Sequence, residues 1–109
     1  MISREDFDKL DIRSGTIIEA LPFPKAKKPA YKLIIDFGEH GIKRSSAQIT
    51  ALYTIEELIG KQIIAVINFP PKQIADLLSE CLVLGVYNEK NDVVLLHPSR
   101  DVHNGSKVG

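Results

Sequence analysis

The sequence has 109 residues, 44% of them apolar and 26% charged, with fourteen basic side chains against fourteen acidic ones. That length fits one domain, residues 1–109, with a thin core, and the balanced charge excludes the strongly basic surface of an indiscriminate nucleic-acid binder, so any such binding must be local. No window approaches the roughly eighteen uninterrupted apolar residues of a membrane span, residues 1–10 are too charged for the apolar centre of a signal peptide, and the lone Cys81 allows no intramolecular disulfide; together these predict a soluble cytoplasmic protein with no membrane insertion.

In chain order, Ser3 with Asp6 three residues on, and Phe7 and Leu10 spaced three apart, predict a capped helix of one to two turns. From Asp11 to Ala20 the pattern becomes β-branched around Gly15, which predicts a long strand bent or bulged at that glycine. Three prolines in Pro22 to Pro29 make a loop, because they supply no ladder donors. Tyr31 to Phe37 is the next strand, and "GEHG" turns it into a hairpin partner over Ile42 to Ile49. Thr54 with Glu57 makes a capping box for a short helix ending at Gly60. Gln62 to Phe69, Cys81 to Tyr87 and Val93 to His97 are the remaining strands, the last two joined by the polar turn "NEKND".

Five or six short strands with a helix between the third and fourth is the order of an OB-fold, an all-β five-stranded Greek-key barrel, here with short helices and terminal extensions. Its ligands use the face of strands two and three and the loops joining strands one to two and four to five. Those loops are "PFPKAKKPA" and "PPKQIADLLS", the two least ordinary segments of the chain. In the second, Pro70 and Pro71 remove two backbone donors, end strand four and deliver Lys72 to the expected rim.

Lys25, Lys27, Lys28 and Lys32 fall within eight residues with no acid among them, and Lys43 and Arg44 lie on the hairpin partner of the adjoining strand. Brought together they would form a basic rim that attracts phosphate; the plainer reading is a solvated lysine loop. Tyr31, Phe37 and Phe69 are candidates to stack bases, against core packing as the alternative, which suits Phe37 best. Neighbouring apolar pairs, Ile34-Ile35 and Ile63-Ile64, rule out strands with one simple wet face, and a homodimer is the most economical cover for the outer side. Chemistry is poorly represented. His40, His97 and His103 lack metal-ligand spacing, Ser45-Ser46 have no evident base, and there is no phosphate-cradling glycine loop, so neither an enzyme nor a cofactor or metal is expected.

"DIRSGTI", "AYKLIIDFG", "SSAQIT", "INFPPKQI", "SECLVLG", "VVLLHP" and "NGSKVG", in order over nearly the whole chain, resemble the tRNA-binding domain family, which is found appended to methionyl-tRNA synthetases and in free-standing dimers. "SSAQIT" and "NFPP" point to its CsaA-like branch of secretion chaperones. The resemblance implies an OB-fold homodimer whose N-terminal helix and C-terminal extension serve dimerisation, with unfolded precursor proteins and tRNA as partners. It implies that Asn68, Pro71, Lys72, Ser79 and Glu80 face RNA together with the basic first loop. Polypeptide holding asks for an apolar groove with a charged rim, for which Phe69, Pro70, Pro71 and Ile74 are the groove candidates, with sealing of the barrel end as the alternative for Phe69 and Ile74. The chain departs from the synthetase-type pattern at Gln73 and Ala75-Asp76, where a second basic residue and an Arg-Gly pair are expected; the lost charges and added carboxylate should weaken phosphate binding there.

Overall fold

A computed structural model describes all 109 residues. Helix α1 (Arg4–Asp8) starts as its spacing predicts: Ser3 Oγ accepts from Asp6 N and Ser3 N donates to Asp6 Oδ2, each at 3.1 Å. None of its residues is buried, so it is held by its trailing end. There Asn68 accepts from Asp11 N and donates to Lys9 O, both at 2.8 Å.

The spine of the fold is β1 (Ile12–Pro22). Its second half pairs antiparallel with β2 (Tyr31–Asp36), and a tight 3-10 turn over Gly38–His40 returns β2 into β3 (Ile42–Ala47). Helix α2 (Ile55–Leu58), closed by the Thr54/Glu57 capping box, leads into β4 (Gln62–Val66), which pairs with the first half of β1. A β5–β6 hairpin (Lys72–Ile74, Leu77–Ser79) follows, then β7 (Leu82–Val83) on the far edge of β4 and a β8–β9 hairpin (Gly85–Tyr87, Val93–Leu95). The main sheet runs β3-β2-β1-β4-β7. Glu80 N donates to Arg44 O at 2.8 Å and Ser45 Oγ to Cys81 O at 3.1 Å, so the segment feeding β7 also grips β3 and nearly closes the sheet into a barrel. The barrel is the all-β OB-fold expected from element order.

The barrel is filled by Ile17, Leu33, Ile35, Phe37, Leu58 and Ile63, none with any exposed area. Full burial of each is worth about 1.5–3 kcal/mol, which makes this cluster the dominant stabilising feature. Leu58 is the plug that α2 contributes.

Four details differ from the sequence reading. The register of β1 on β2 shifts between Ile17 and Glu19, so the bulge lies at Ile18 and not at Gly15. Gly15 is needed for close approach instead, since a Cβ there would stand 2.7 Å from two carbons of the Phe37 ring. Strand β4 ends at Val66: Ile67 N still reaches Asp11 O at 2.8 Å, but Asn68 then turns to tie down the N-terminal segment, leaving Phe69 outside the strand. "PPKQIADLLS", read as a loop, contains the β5–β6 hairpin, and Cys81 to Tyr87 is split into β7 and β8 at Leu84, whose N donates to Ile64 O at 2.8 Å. The polar tail has a partner within its own chain. Gly105 N donates to Ser14 O at 2.7 Å, Ser14 N to Ser106 O at 3.0 Å and Val108 N to Ile12 O at 2.9 Å, filling the edge of β1 that β2 leaves open.

Candidate nucleic-acid and polypeptide interface

The two segments singled out for the rim pack on each other. Phe23 and Ala30 from the proline-rich loop meet Leu77 of β6 in a second small core, with Ala26 and Ile74 partly buried against it. Phe23 is placed there as the chain leaves β1 after Pro22, because Pro24 then starts a tight turn in which Ala26 N donates to Phe23 O at 3.2 Å. A shallow crevice of about 380 Å³ opens along this loop, with Pro24, Lys27, Pro29 and Thr50 at its walls. The hairpin turns through Ala75 and Asp76, with Ala75 at φ 50°, a region where glycine is the usual occupant. Gln73 Nε2 donates to Ala75 O at 2.9 Å and steadies the turn.

Asp76 lies between two of the loop lysines. Its Oδ2 is 3.6 Å from Lys25 Nζ and its Oδ1 is 3.5 Å from Lys32 Nζ, and Lys32 Nζ stands 4.9 Å from the centre of the Phe23 ring. Desolvation raises the Asp76 carboxyl, but the charges of Lys32 and Lys25 outweigh it and hold the group below its ordinary value. Glu80 acts similarly on β3: its Oε1 accepts from Arg44 N at 3.0 Å and from Arg44 Nε at 3.3 Å. The backbone hydrogen bond from Arg44 is the main cause of its lowered pKa. Ser79 Oγ accepts from Ser46 N at 3.4 Å, so the Ser79-Glu80 pair seams the hairpin to β3. Lys27, Lys28, Lys72 and Lys43 make no ion pair.

Register decides which residues share a face. Lys32 is opposite Ser46 and Ile34 opposite Arg44, so Lys32, Ile34 and Arg44 lie on one side of the β2–β3 pair, while Lys43, opposite Ile35, lies on the other. The structure therefore brings Arg44 to the face of Lys32 and leaves Lys43 off it. Tyr31 turns inward, its hydroxyl donating to Tyr53 O at 2.7 Å, and Phe37 is fully buried. Of the three aromatic candidates only Phe69 is exposed, at 48%, with Pro70 and Pro71 also exposed, while Tyr31 is half-buried. Ile74 is half-buried in the second core, and Asn68 has both ends of its amide engaged. Phe23 and the bridging position of Asp76 were not singled out from sequence as parts of the rim; an aromatic flanked by prolines ahead of a lysine cluster was the available signal.

A second surface lies on the C-terminal strands. Val86 and Val94 are cross-strand partners, both outward, and Leu82 and Leu96 nearby in the chain are exposed as well. Of the apolar pairs noted in the sequence, Ile35 and Ile63 lie inside and Ile34 and Ile64 are half-buried outside. Burial pushes the Cys81 thiol up to about 11, as suits an inert structural residue. No group of three His, Cys, Asp or Glu side chains is placed to hold a metal ion, and no helix is long and apolar enough to cross a membrane.

A small OB-fold barrel with a lysine-bearing loop docked on a hairpin has the architecture of modules that bind oligonucleotides and oligosaccharides. Within that class, residues 12–107 match the tRNA binding domain family, and the chain belongs to it. Over 100% of its length it superposes on 99% of the chaperone CsaA from Bacillus anthracis, with 54% identity and a TM-score of 0.95. The CsaA chaperone protein from Picrophilus torridus is equally similar at 54% identity, with all of both chains covered and a TM-score of 0.94. The methionine–tRNA ligase of Methanocaldococcus jannaschii is 35% identical over 93% of this chain, which spans only 15% of that enzyme's length.

Proposed function

We propose that the protein is a non-catalytic, homodimeric cytoplasmic chaperone of the CsaA type that holds unfolded precursor polypeptides and retains the capacity to bind tRNA. The observation that carries this reading is the full-length similarity, at 54% identity, to two CsaA chaperones. The exposed apolar side chains Leu82, Val86, Val94 and Leu96 support a surface through which two copies join, with the N-terminal helix and C-terminal extension contributing to the joined state. Phe69, Pro70 and Pro71 are the exposed apolar residues for polypeptide, and the unpaired Lys27, Lys28 and Lys72 are the cations available to its acidic flanks or to RNA phosphate.

Light scattering from a chemically unfolded protein diluted into buffer should fall in the presence of stoichiometric dimer without ATP. Unchanged aggregation overturns the chaperone reading. The second reading, a tRNA-binding accessory protein with no chaperone role, is favoured by the family match over residues 12–107. Reversing Lys27 and Lys28 to glutamate should then weaken tRNA binding and flatten its salt dependence by about one to two units of slope; unaltered binding removes these lysines from the interface.

A further inference from the structure

We propose that Asp76 is a built-in occupant of a phosphate position, and that it sets how strongly the rim prefers other ligands over a nucleic-acid backbone. The inference rests on the reading of the rim as an RNA-accepting surface and names the residue that tunes it. The carboxylate presents one oxygen to Lys25 at 3.6 Å and the other to Lys32 at 3.5 Å, the arrangement in which two cations would grip the two free oxygens of a phosphodiester. Lys32 is prearranged for that role, since its ammonium rests over the Phe23 ring and its side chain is only 28% exposed.

Two features make Asp76 a competitor more than a fastener. The loop and hairpin are already joined by Phe23, Ala30 and Leu77, so the ion pairs are not needed to dock them. Both contacts are long for charge-assisted hydrogen bonds, and the Asp76 side chain is 44% exposed, so solvent or a stronger anion can reach it. A polyanion approaching this face would have to displace the carboxylate before Lys25 and Lys32 could neutralise its phosphates and release the cations condensed on it. Lys27 and Lys28, without such a partner, would be engaged first.

The test is fluorescence anisotropy of labelled tRNA over a salt series with the full-length protein, Asp76→Asn, Lys25→Met, the double variant, and Lys27→Glu/Lys28→Glu as a control. Asp76→Asn should bind about three- to tenfold more tightly, with a salt slope steeper by about one to two. Lys25→Met should matter little alone and clearly in the Asp76→Asn background. If Asp76→Asn binds no more tightly while Lys27→Glu/Lys28→Glu abolishes binding, the inference about Asp76 fails and the RNA-accepting rim stands. If the unaltered protein and Asp76→Asn both fail to bind at low salt, both fall. A matching thermal midpoint for Asp76→Asn shows that the variant changes the ligand surface and leaves the fold intact; a collapsed midpoint makes Asp76 a structural fastener and overturns the proposal.

Discussion

The two hydrophobic clusters of this protein do different jobs at different scales. The barrel cluster joins residues from β1, β2, β3, α2 and β4 and includes six large side chains with no exposed area, so the whole sheet depends on it. The rim cluster has three buried residues from one loop and one hairpin, supplemented by exposed ion pairs to Asp76. A surface anchored this lightly can change its charges without disturbing the barrel beneath, which is how one architecture can serve different ligands.

The sharpest way to break that contrast is truncation in each cluster. Phe37→Ala should cost about 3–5 kcal/mol and lower the denaturant midpoint of the entire molecule, because the cavity lies against Gly15 and Ile35 in the closed barrel. Phe23→Ala should cost less globally and act locally. Amide exchange should accelerate over residues 22–31 and 72–79 while β1, β2 and β3 keep their protection; uniform loss of protection would show that the two clusters are one cooperative unit.

The smallest expected effect concerns acid. The Glu80 carboxyl lies below its ordinary value in the folded state, so the stability it contributes is present above about 4.5 and is lost as pH falls through the lower folded value. Glu80→Gln should cost about 1 kcal/mol at neutral pH and flatten the acid limb of the stability curve. An unchanged acid limb would mean that the seam between Glu80 and Arg44 adds nothing to the fold.

Much of the barrel was legible because its signals are local. Capping boxes at Ser3/Asp6 and Thr54/Glu57 require only three-residue spacing, and β-branched runs interrupted by prolines and glycines mark strand limits. The β5–β6 hairpin was missed because its turn, Ala75-Asp76, contains neither glycine nor asparagine at the positive-φ position. The bulge at Ile18 was misplaced for a related reason: Gly15 looks like a bend, and only its distance to the Phe37 ring shows that the missing side chain makes room for an aromatic.

The sequence by itself determined the all-β class, the two helix caps, the lysine-rich loop, the lack of a disulfide and core packing as the better fate of Phe37, since each follows from composition, spacing or periodicity within a few residues. Tertiary structure alone decided that Arg44, and not Lys43, shares the face of Lys32, that Glu80 and Asp76 bind the cations opposite them, and that the C-terminal tail completes the edge of β1. These depend on register and on contacts between residues far apart in the chain, where a shift of one position moves a side chain to the other face and separates a charge from its partner.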